Sequence, residues 1–530
     1  MNYLVIFSTI LVYSLCDGYR ILLVFPFPSK SHSILGDGFA KHLLQAGHEV
    51  TLITATPMKK PLEGLRTIDL SSNYKLVFMD LTKIMNREVE TDDIDLALGM
   101  IQMIATNTLM DENVQALLHD QKEKFDVVIA EWMFSELYAG FGPVFNCPFI
   151  WSSSVDPHNM VLSLIDEDVN PAYLPNMISY EIPPFTFKQR VYELWRNYRN
   201  RFSIWKVWHK QVEAYHNAFA SAVAKKGAVL PPFEDVVYNA SLLFGNSHYT
   251  IGSSVRLPQN YVHIGGYHID DEVKPLPKNL KDIMDNATNG VIYFSLGSIV
   301  KPQGMPDELK TGLLDTFRGL KETVIWKFDG QLPNVSENVH IVDWAPQPSI
   351  LAHPNCILFI SHGGLLSITE AIHFGVPLIG IPVFGDQFNN VNKVVAKGFG
   401  KKVEISMDMP EKLQAAIKEL LENPSYRERM KEINFIHHHR RMAPGKEIVH
   451  WVDHVVRTKG APHLRSPALH MPFYQKMYLD LLAVILVTIA SVLILFVKIQ
   501  RYFKFNVSLQ FRKKERKKER KKERNHLLFL

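Results

Sequence analysis

A histidine and two glycines stand between an apolar run and a predicted helix in the second half of the chain. His362, Gly363 and Gly364 directly follow Cys356–Ser361, whose apolar composition is typical of a buried parallel strand. Glycine lets the backbone approach a ligand closely because it carries no Cβ atom. The helix predicted over Leu365–Phe374 presents free N–H groups and a partial positive charge at its start, which suit an anion. The pattern predicts a phosphate-binding turn.

Six further side chains flank this turn at spacings that could complete a ligand site. Two precede the turn, two lie on its helix, and two follow the next predicted strand, residues 376–382. They are Trp344 and Gln347, Ser367 and Glu370, and Asp386 and Gln387. Because open α/β sheets bind ligands at the carboxyl ends of their strands, we expect the six to gather at one edge. The alternative is a plain strand–helix–strand unit whose polar residues are incidental.

The spacing of these residues over 344–390 resembles the signature of the UDP-glycosyltransferases, the glucuronosyl- and glucosyltransferase family. The resemblance implies that Trp344 stacks on uracil, that Gln347 reaches the ribose, and that Glu370 accepts hydrogen bonds from the ribose hydroxyls. An indole face suits the first role because flat aromatic surfaces stack well. Asp386 and Gln387 would hold hydroxyl groups of the donor sugar.

The same resemblance assigns the diphosphate to His362 and to N–H groups around Gly364 and Ser367. Many members of the family carry Asn where this chain has Leu366, so the phosphate contacts here would depend on the backbone, Ser367 and His362. An earlier turn, after the predicted strand 291–294, also matches the family and is expected to face the nucleotide. Its site residues are Ser295, Gly297 and Ser298.

A second candidate centre lies near the N-terminus. Arg20–Phe25 is an apolar strand, a helix is predicted over residues 33–46, and His32 lies between them. A lone histidine in a loop is usually only solvated, but this segment resembles the family's opening motif, whose histidine is the catalytic base. The family's acidic partner falls on Glu131, after the predicted strand 125–130, where relatives usually carry Asp. An exposed charge at a strand end is the alternative for Glu131.

The resemblance extends from about residue 20 to residue 497 and implies an α/β protein of the GT-B type, in which two Rossmann-like domains face each other. The first domain would bind the acceptor and the second the UDP-sugar, with the reaction in the cleft. The predicted parts are a signal peptide at 1–18, the acceptor-binding domain at 19–270, a linker at 271–289, the UDP-sugar-binding domain with a helix that crosses back at 290–465, a transmembrane helix at 477–497, and a basic cytosolic tail at 498–530.

Composition and charge are those of a globular protein with sizeable cores. The chain has 530 residues, 47% hydrophobic and 21% charged, which is room for two or three domains. Its net charge of +4 is uneven, since residues 498–530 carry 13 Lys or Arg and 3 Glu, a balance of +10 that leaves −6 for the rest. The basicity belongs to the tail, so we predict no nucleic-acid partner.

The two ends of the chain predict a membrane-anchored protein of the secretory route. Residues 1–18 combine an apolar run with a small-residue cleavage site, as in a signal peptide, although a buried first strand is the alternative. Residues 481–497 carry no charge and could span a bilayer, and the basic residues beyond them place the tail in the cytosol. We predict a single-pass type I protein of the endoplasmic reticulum with a luminal body, although the lysines are not terminal, which leaves retention there open.

The cysteines and the glycosylation motifs are consistent with a secretory protein that has no disulfide framework. Only Cys16, Cys147 and Cys356 are present, and the first falls in the predicted signal peptide. Because the other two fall in different predicted domains, no disulfide framework is expected. The KKER repeats of the tail are expected to be disordered or only partly helical. Luminal N-glycosylation is expected at Asn239, Asn286 and Asn334.

Three other patterns are ambiguous. Residues 188–210 carry an aromatic stripe, which we interpret as core or as a wall of the acceptor pocket, with a helix lying on the membrane as the alternative. The stripe comprises Trp195, Tyr198, Phe202 and Trp205. Two Asp-x-Asp pairs, at 93–95 and 166–168, are interpreted as solvated charges. The histidine run at 437–439 has no Cys or acidic ligand set nearby, so no metal site is predicted.

Together these patterns predict an inverting, metal-independent transfer of a sugar from a UDP-sugar to a hydroxyl of a small lipophilic acceptor. The sequence looks closest to the animal, particularly insect, members of the family, many of which use UDP-glucose, and this favours glucose and a role in detoxification. The UDP-sugar is a co-substrate, and no further cofactor is expected. Two alternatives remain, a lipid- or sterol-specific glycosyltransferase and a catalytically silent, membrane-anchored carrier of hydrophobic ligands. Whether the protein forms a homo-oligomer is left open.

Overall fold

The computed structural model describes residues 18–77, 93–166, 169–252, 254–270, 272–297 and 304–527. Three features predicted from the sequence lie outside these ranges: the signal peptide apart from Gly18, Asp168 of the second Asp-x-Asp pair, and Ser298 of the nucleotide-facing turn. The described chain divides into a body that ends at Leu469 and a C-terminal unit that begins at His470.

The first half of the body is built around a seven-stranded parallel sheet. Its strands are β1 (Arg20–Phe25), β2 (Glu49–Thr54), β3 (Leu65–Asp69), β4 (Val127–Trp132), β5 (Phe149–Ser153), β6 (Leu243–Gly245) and β7 (Tyr261–His263). They lie in the order β3-β2-β1-β4-β5-β6-β7. Alternate residues of β1 enter two separate cores, Leu22 and Val24 on one face and Ile21 and Leu23 on the other. A strand buried on both faces needs such a continuous apolar run.

The second half of the body contains a six-stranded parallel sheet. Its strands are β8 (Val291–Ser295), β9 (Thr323–Lys327), β10 (Val339–Val342), β11 (Cys356–Ser361), β12 (Leu378–Gly380) and β13 (Gly400–Lys402). Their order is β10-β9-β8-β11-β12-β13. β8 likewise divides its side chains between two cores, with Ile292 and Phe294 on one face and Val291 and Tyr293 on the other. The two parallel sheets confirm the predicted fold class.

Helices cover both sheets. Those of the first half are α1 (Lys30–Gln45), α2 (Ile94–Met110), α3 (Glu112–His119), α4 (Phe141–Phe145), α5 (Asn159–Leu162), α6 (Phe187–Lys225) and α7 (Phe233–Val237). Those that follow are α8 (Lys278–Asn286), α9 (Asp307–Arg318), α10 (Gln347–Leu351), α11 (Leu365–Phe374), α12 (Gln387–Ala396), α13 (Met409–Glu422), α14 (Ser425–His438) and α15 (Pro444–Arg457). Short 3-10 helices span Ser71–Leu76, Leu137–Gly140, Pro462–Leu464 and Pro467–His470.

The strand orders place a topological switch point in each sheet. In the first sheet the connection reverses direction between β1 and β4, and in the second it reverses between β8 and β11. Crevices for ligands open at the carboxyl ends of strands at such points, because the flanking loops diverge to opposite faces. The predicted site residues of the first half follow β1 or end β4, and those of the nucleotide turns follow β8 and β11.

Two helices that connect the halves of the body pack against different sheets. Within the predicted linker, α8 buries Leu280 and Met284 in a core of the second sheet, so this part is a packed helix and not an open connection. The last helix of the body, α15, buries Ile448 and Val452 in a core of the first sheet. The chain therefore returns to its first half after completing the second.

The aromatic stripe of residues 188–210 lies on the surface, so its interpretation as core is wrong. Its four aromatic side chains on α6 are between 46% and 69% exposed. Helix α6 instead buries another face, which includes Tyr215 and Phe219. Helical periodicity identifies an apolar stripe but does not tell whether the stripe faces the protein or its surroundings. Exposure contradicts a place in the core, whereas the wall of the acceptor pocket and the helix lying on the membrane both stay predictions.

The patterns that resembled metal sites have other roles here. Asp93 caps α2 by accepting a hydrogen bond from the Asp95 N–H at 2.9 Å, and Asp95 pairs with Lys206 on α6 at 3.0 Å. His437 is buried, with its ring 5.1 Å from the ring of His248 in the first half, and burial lowers its pKa. The histidine run thus contributes to packing between the two halves.

The C-terminal unit contains α16 (Phe473–Lys476) and the 49-residue helix α17 (Leu479–Leu527). Helix α17 is long and apolar enough to span a bilayer. It continues without a break through the KKER repeats, so the expectation of a disordered or only partly helical tail is wrong. Lys, Glu and Arg are strong helix formers, and neither Gly nor Pro occurs beyond Leu479 to end the helix.

The predicted glycosylation sites and the two cysteines of the body differ in their exposure to solvent. Asn239, Asn286 and Asn334 are all exposed on the body. Cys147 and Cys356 are free thiols, and burial raises the pKa of each to about 12. Thiols of this kind are inert at neutral pH.

Candidate active site

His32 and Glu131 form a hydrogen-bonded pair at the carboxyl end of the first sheet. The helix α1 begins at Lys30, three residues earlier than predicted, so His32 lies in its first turn and not in a loop. Glu131 is the next-to-last residue of β4. Because β1 and β4 are neighbours, the two side chains converge, and the His32 Nδ1 atom lies 2.5 Å from the Glu131 Oε1 atom.

The surroundings fix the orientation of this pair. The ring of Phe27 lies 4.5 Å from the ring of His32. The Glu131 carboxylate is 1% exposed, and its Oε2 atom has no hydrogen-bond partner among the described residues. Asp126 accepts a hydrogen bond from the Arg20 N–H at 2.7 Å, at the opposite end of the strand. A buried carboxylate on Nδ1 leaves Nε2 to receive a proton and stabilises the resulting imidazolium.

Two similar turns meet at the carboxyl end of the second sheet. Ser295 ends β8 and Ser361 ends β11, and the two serines lie opposite each other in the paired strands. Each hydroxyl accepts a hydrogen bond from the N–H two residues on, that of Gly297 at 3.3 Å and that of Gly363 at 3.2 Å. Both glycines have positive φ, +83° and +82°, which side chains rarely adopt.

The ring of His362 lies between these turns. A Cβ atom on Gly297 would come 2.8 Å from the ring, and one on Gly364, the N-cap of α11, would come 2.5 Å from its Nε2 atom. The His362 Nδ1 atom is buried and has no partner among the residues that the structure describes. Burial, helped by the charge of Lys327, lowers the pKa of His362 to about 4, so its imidazole is neutral at pH 7.

Lys327 is a cation of this site that the sequence analysis missed. It ends β9, its ammonium donates to the Gly297 carbonyl at 2.7 Å, and it lies 5.1 Å from the ring centre of Trp344. Its position at a strand end beside β8 was the available signal. Trp344 itself is 58% exposed, so an indole face is open to a ligand. Trp344 can therefore stack on a flat base while Lys327 and the adjacent helix start hold an anion beside it.

Gln347, Ser367 and Glu370 form one hydrogen-bonded group beside α11. The Gln347 amide donates to the Ser367 hydroxyl at 3.2 Å and to the Glu370 carboxylate at 2.8 Å. The other Glu370 oxygen lies 3.4 Å from the Nε2 atom of His268, a buried residue from the segment before the second sheet. No local pattern marked His268. Leu366, in the turn where the family resemblance leads us to expect Asn, packs against a core of the first sheet.

Asp386 and Gln387 lie at the start of α12, one as its N-cap and the other as its first residue. The Asp386 carboxylate accepts from the Asn390 amide at 2.7 Å. Burial raises the pKa of Asp386, and the hydrogen bond from Asn390 and the charge of His32 oppose that shift. The Gln387 side-chain oxygen accepts from the N–H groups of Val383 at 2.8 Å and of Phe384 at 3.1 Å, and so holds the loop.

Side chains of the second half of the body contact the first half. The Asn392 amide donates to the Tyr180 carbonyl at 2.6 Å. The structure thus places His32 and Glu131 at the carboxyl end of the first sheet and the two glycine turns at the carboxyl end of the second.

Comparisons with known proteins agree with this geometry. The family model for UDP-glucoronosyl and UDP-glucosyl transferase matches residues 21–517. UDP-glycosyltransferase UGT5 of Dactylopius coccus is 31% identical, over 94% of this chain and 94% of its own length. UDP-glucosyltransferase 2 of the same insect is 30% identical over 92% and 93%. Human UDP-glucuronosyltransferase 2B10 is 29% identical over 86% and 88%.

The fold agrees with that of solved glycosyltransferases of the GT-B type. Calicheamicin glycosyltransferase CalG4 has a TM-score of 0.53 and 16% identity, over 83% of this chain and 99% of that one. Spinosyn forosaminyltransferase SpnP has a TM-score of 0.53 and 16% identity, over 83% and 100%. By its sequence, the chain belongs to the family of UDP-glucuronosyl and UDP-glucosyl transferases, enzymes that transfer a sugar from a UDP-sugar to an acceptor.

Proposed function

We propose that this enzyme transfers its sugar, with inversion at the anomeric carbon, to a hydroxyl of a small lipophilic acceptor. One observation carries the proposal: the His32 imidazole and the buried Glu131 carboxylate lie 2.5 Å apart at the carboxyl end of the first sheet. An acceptor hydroxyl is a poor nucleophile and needs a base, while the departing UDP needs a group that stabilises its charge. The cleft has a candidate for each need.

In this mechanism His32 removes the proton of the acceptor hydroxyl through its Nε2 atom as the oxygen attacks the anomeric carbon. The new C–O bond forms on the face opposite the departing UDP, so an α-linked donor gives a β-linked product. General-base help of this kind is typically worth about 10²–10⁴-fold in rate. Glu131 stabilises the imidazolium that forms and keeps Nδ1 protonated.

The departing diphosphate would be held by protein groups alone. Neutral His362, the N–H groups at the start of α11 and the ammonium of Lys327 are the candidates, and all three lie around one turn. Preorganised donors stabilise a developing charge without reorganising at the moment of reaction. We therefore propose a metal-independent reaction, whose rate survives addition of a chelator.

The name of a relative and the ends of the chain bear on the donor sugar, the acceptor and the location. A relative that is 30% identical carries the name UDP-glucosyltransferase 2, which favours glucose as the sugar. We propose that the acceptors are lipophilic alcohols and phenols and that the role is detoxification. The apolar helix α17 and the exposed sequons favour an endoplasmic reticulum protein of single-pass type I topology, with a luminal body.

The proposal is tested by incubating microsomes that contain the protein with several UDP-sugars and a panel of phenols, followed by mass analysis of the conjugates. The expected product is a β-glucoside formed equally well in the presence of EDTA. An α-linked product would overturn the inverting mechanism, and loss of activity with EDTA would overturn metal independence. Microsomes with a His32→Ala variant serve as the matched control.

A further inference from the structure

A buried ion pair joins the two halves of the body inside the cleft. The Lys393 ammonium lies 2.6 Å from an oxygen of the Asp156 carboxylate, and the two side chains are 7% and 10% exposed. Asp156 lies in the loop after β5, and Lys393 lies on α12, two turns beyond Asp386. Neither belongs to the residues assigned above to the base, the nucleotide or the sugar.

This pair borders a small pocket that Asp386 also lines. His158, Asn389 and Asn390 also belong to its polar wall, and Leu174 and Met177 are apolar parts of the lining. Because Asp386 starts the helix that carries Asn389 and Lys393, a sugar held at Asp386 lies against this helix and the Asp156 loop. The cavity therefore continues the proposed sugar site.

The cavity wall holds buried polar atoms that lack a partner among the described residues. They are Asp156 Oδ1, Asn389 Oδ1 and both ring nitrogens of His158. Burial lowers the pKa of His158 to about 3, so the ring is neutral and presents one donor and one acceptor. Buried polar groups are normally satisfied, so a ligand rich in hydroxyl groups fits this wall.

We propose that Asp156 makes this enzyme selective for UDP-hexoses over UDP-uronates by neutralising Lys393. A uronate differs from a hexose in carrying a carboxylate in place of a primary alcohol. With Lys393 already paired, that carboxylate would meet the like charge of Asp156 in a desolvated space, whereas a neutral hydroxyl can donate to it. The inference rests on the proposed function, since it concerns the donor sugar of the same site.

The central test is the Asp156→Asn variant. Asparagine keeps the shape and a hydrogen-bond acceptor for Lys393 but removes the negative charge, so the buried ammonium becomes available to a donor carboxylate. We expect the ratio of kcat/KM for UDP-glucuronate to that for UDP-glucose to rise by about 10-fold to 100-fold over wild type. An equal change for both donors would overturn the proposal.

Two further variants isolate the charge of Lys393. The Asp156→Asn/Lys393→Gln double variant contains neither charge and should show a smaller rise in the ratio than Asp156→Asn alone; an equal rise would overturn the role of Lys393. Asp270→Asn removes the carboxylate of another 2.6 Å pair, with Lys41, that does not line the cavity, and should leave the ratio unchanged. A change there as large as that of Asp156→Asn would also contradict the proposal.

Removing one partner of a buried ion pair is strongly destabilising, so Asp156→Asn could fail to fold. A second comparison then tests the proposal. In that case the double variant is compared with Lys393→Gln, and loss of the Asp156 charge should again raise the ratio. A wild-type enzyme that prefers UDP-glucuronate overturns the inference and leaves inverting transfer intact. Absence of transfer from every UDP-sugar would instead contradict the proposed function.

Discussion

The imidazole of His32 and the carboxylate of Glu131 meet at 2.5 Å although 99 residues separate them in the chain. Strand β1, which leads into the helix of His32, and strand β4, which carries Glu131, are neighbours only because the first sheet reverses its direction between them. The extra methylene of Glu131, compared with an Asp at the same position, does not prevent the contact. The pair is placed where an open α/β sheet binds its ligands.

The exposed indole of Trp344 gives the first prediction. Trp344→Ala removes a stacking face, and base stacking on an aromatic side chain is worth about 1–3 kcal/mol. The affinity for UDP, measured by calorimetry, should therefore fall on the order of 10-fold to 100-fold. Trp195→Ala removes an indole of similar exposure from α6 and should leave UDP affinity unchanged. Unchanged UDP binding in Trp344→Ala would place the uracil elsewhere.

Lys327 gives a prediction about the diphosphate. Lys327→Met keeps the length of the side chain but removes the charge beside His362 and Trp344. Hydrogen bonds to charged groups contribute about 1.5–3 kcal/mol, so the dissociation constant of UDP should rise roughly 10-fold or more. Uridine, which lacks the diphosphate, should lose much less affinity in the same titration. Equal losses for UDP and uridine would mean that Lys327 shapes the turn and does not bind the anion.

Much of the fold and of the nucleotide site could be predicted because the relevant signals are local. An apolar run of six residues followed by His362 and two glycines defines a strand and its turn without any distant information. Residues that follow parallel strands end at one edge of the sheet, so Trp344, Glu370 and Asp386 could be grouped before the sheet was known.

The rest depends on contacts between distant segments, which no local pattern encodes. Asp156 and Lys393 are 237 residues apart, and each alone reads as an ordinary surface charge. His268 reaches Glu370 only because the chain crosses between the halves. The exposure of Trp205 was mispredicted because a helical stripe has the same period whether it faces a core or a membrane.

Buried histidines give a pH prediction. Burial lowers the pKa of His158 and His248 to about 3 and that of His362 to about 4, whereas each titrates near 6.5 when unfolded. Between these values the unfolded chain binds more protons, so stability rises with pH. We expect the melting temperature of the body to fall as the pH is lowered from about 7.5 to about 5.5.

Some buried acidic groups oppose this pH dependence, and a histidine variant tests its origin. Asp37, whose pKa burial raises to about 6, acts in the opposite direction, because its stabilising contribution is lost as the pH rises through that value. Glu136 and Asp386, whose pKa values burial also raises, act in the same direction as Asp37. Burial likewise lowers the pKa of further histidines, namely His48, His263, His340 and His437. His248→Asn should make the melting temperature less dependent on pH, and an unchanged dependence would show that His248 is not a buried neutral imidazole.

The membrane topology is tested with sealed microsomes. Protease added from outside should remove only a small C-terminal fragment, because the basic flank of α17 stays in the cytosol. The Asn286 side chain is exposed, so endoglycosidase should increase the mobility of the wild-type chain more than that of an Asn286→Gln variant. Digestion of the whole body by external protease would refute the luminal orientation.

The central claim is that His32 and Glu131 act as one unit, and single-turnover rates with saturating UDP-glucose test it most directly. His32→Ala should lower the rate by about 10²–10⁴-fold while UDP still binds. Glu131→Gln should lose much of the rate, and Glu131→Asp should keep more of it. The His32→Ala/Glu131→Gln double variant should be little slower than His32→Ala, because partners in one function are not additive. If the two losses multiplied instead, Glu131 would not serve His32, and the account would be contradicted.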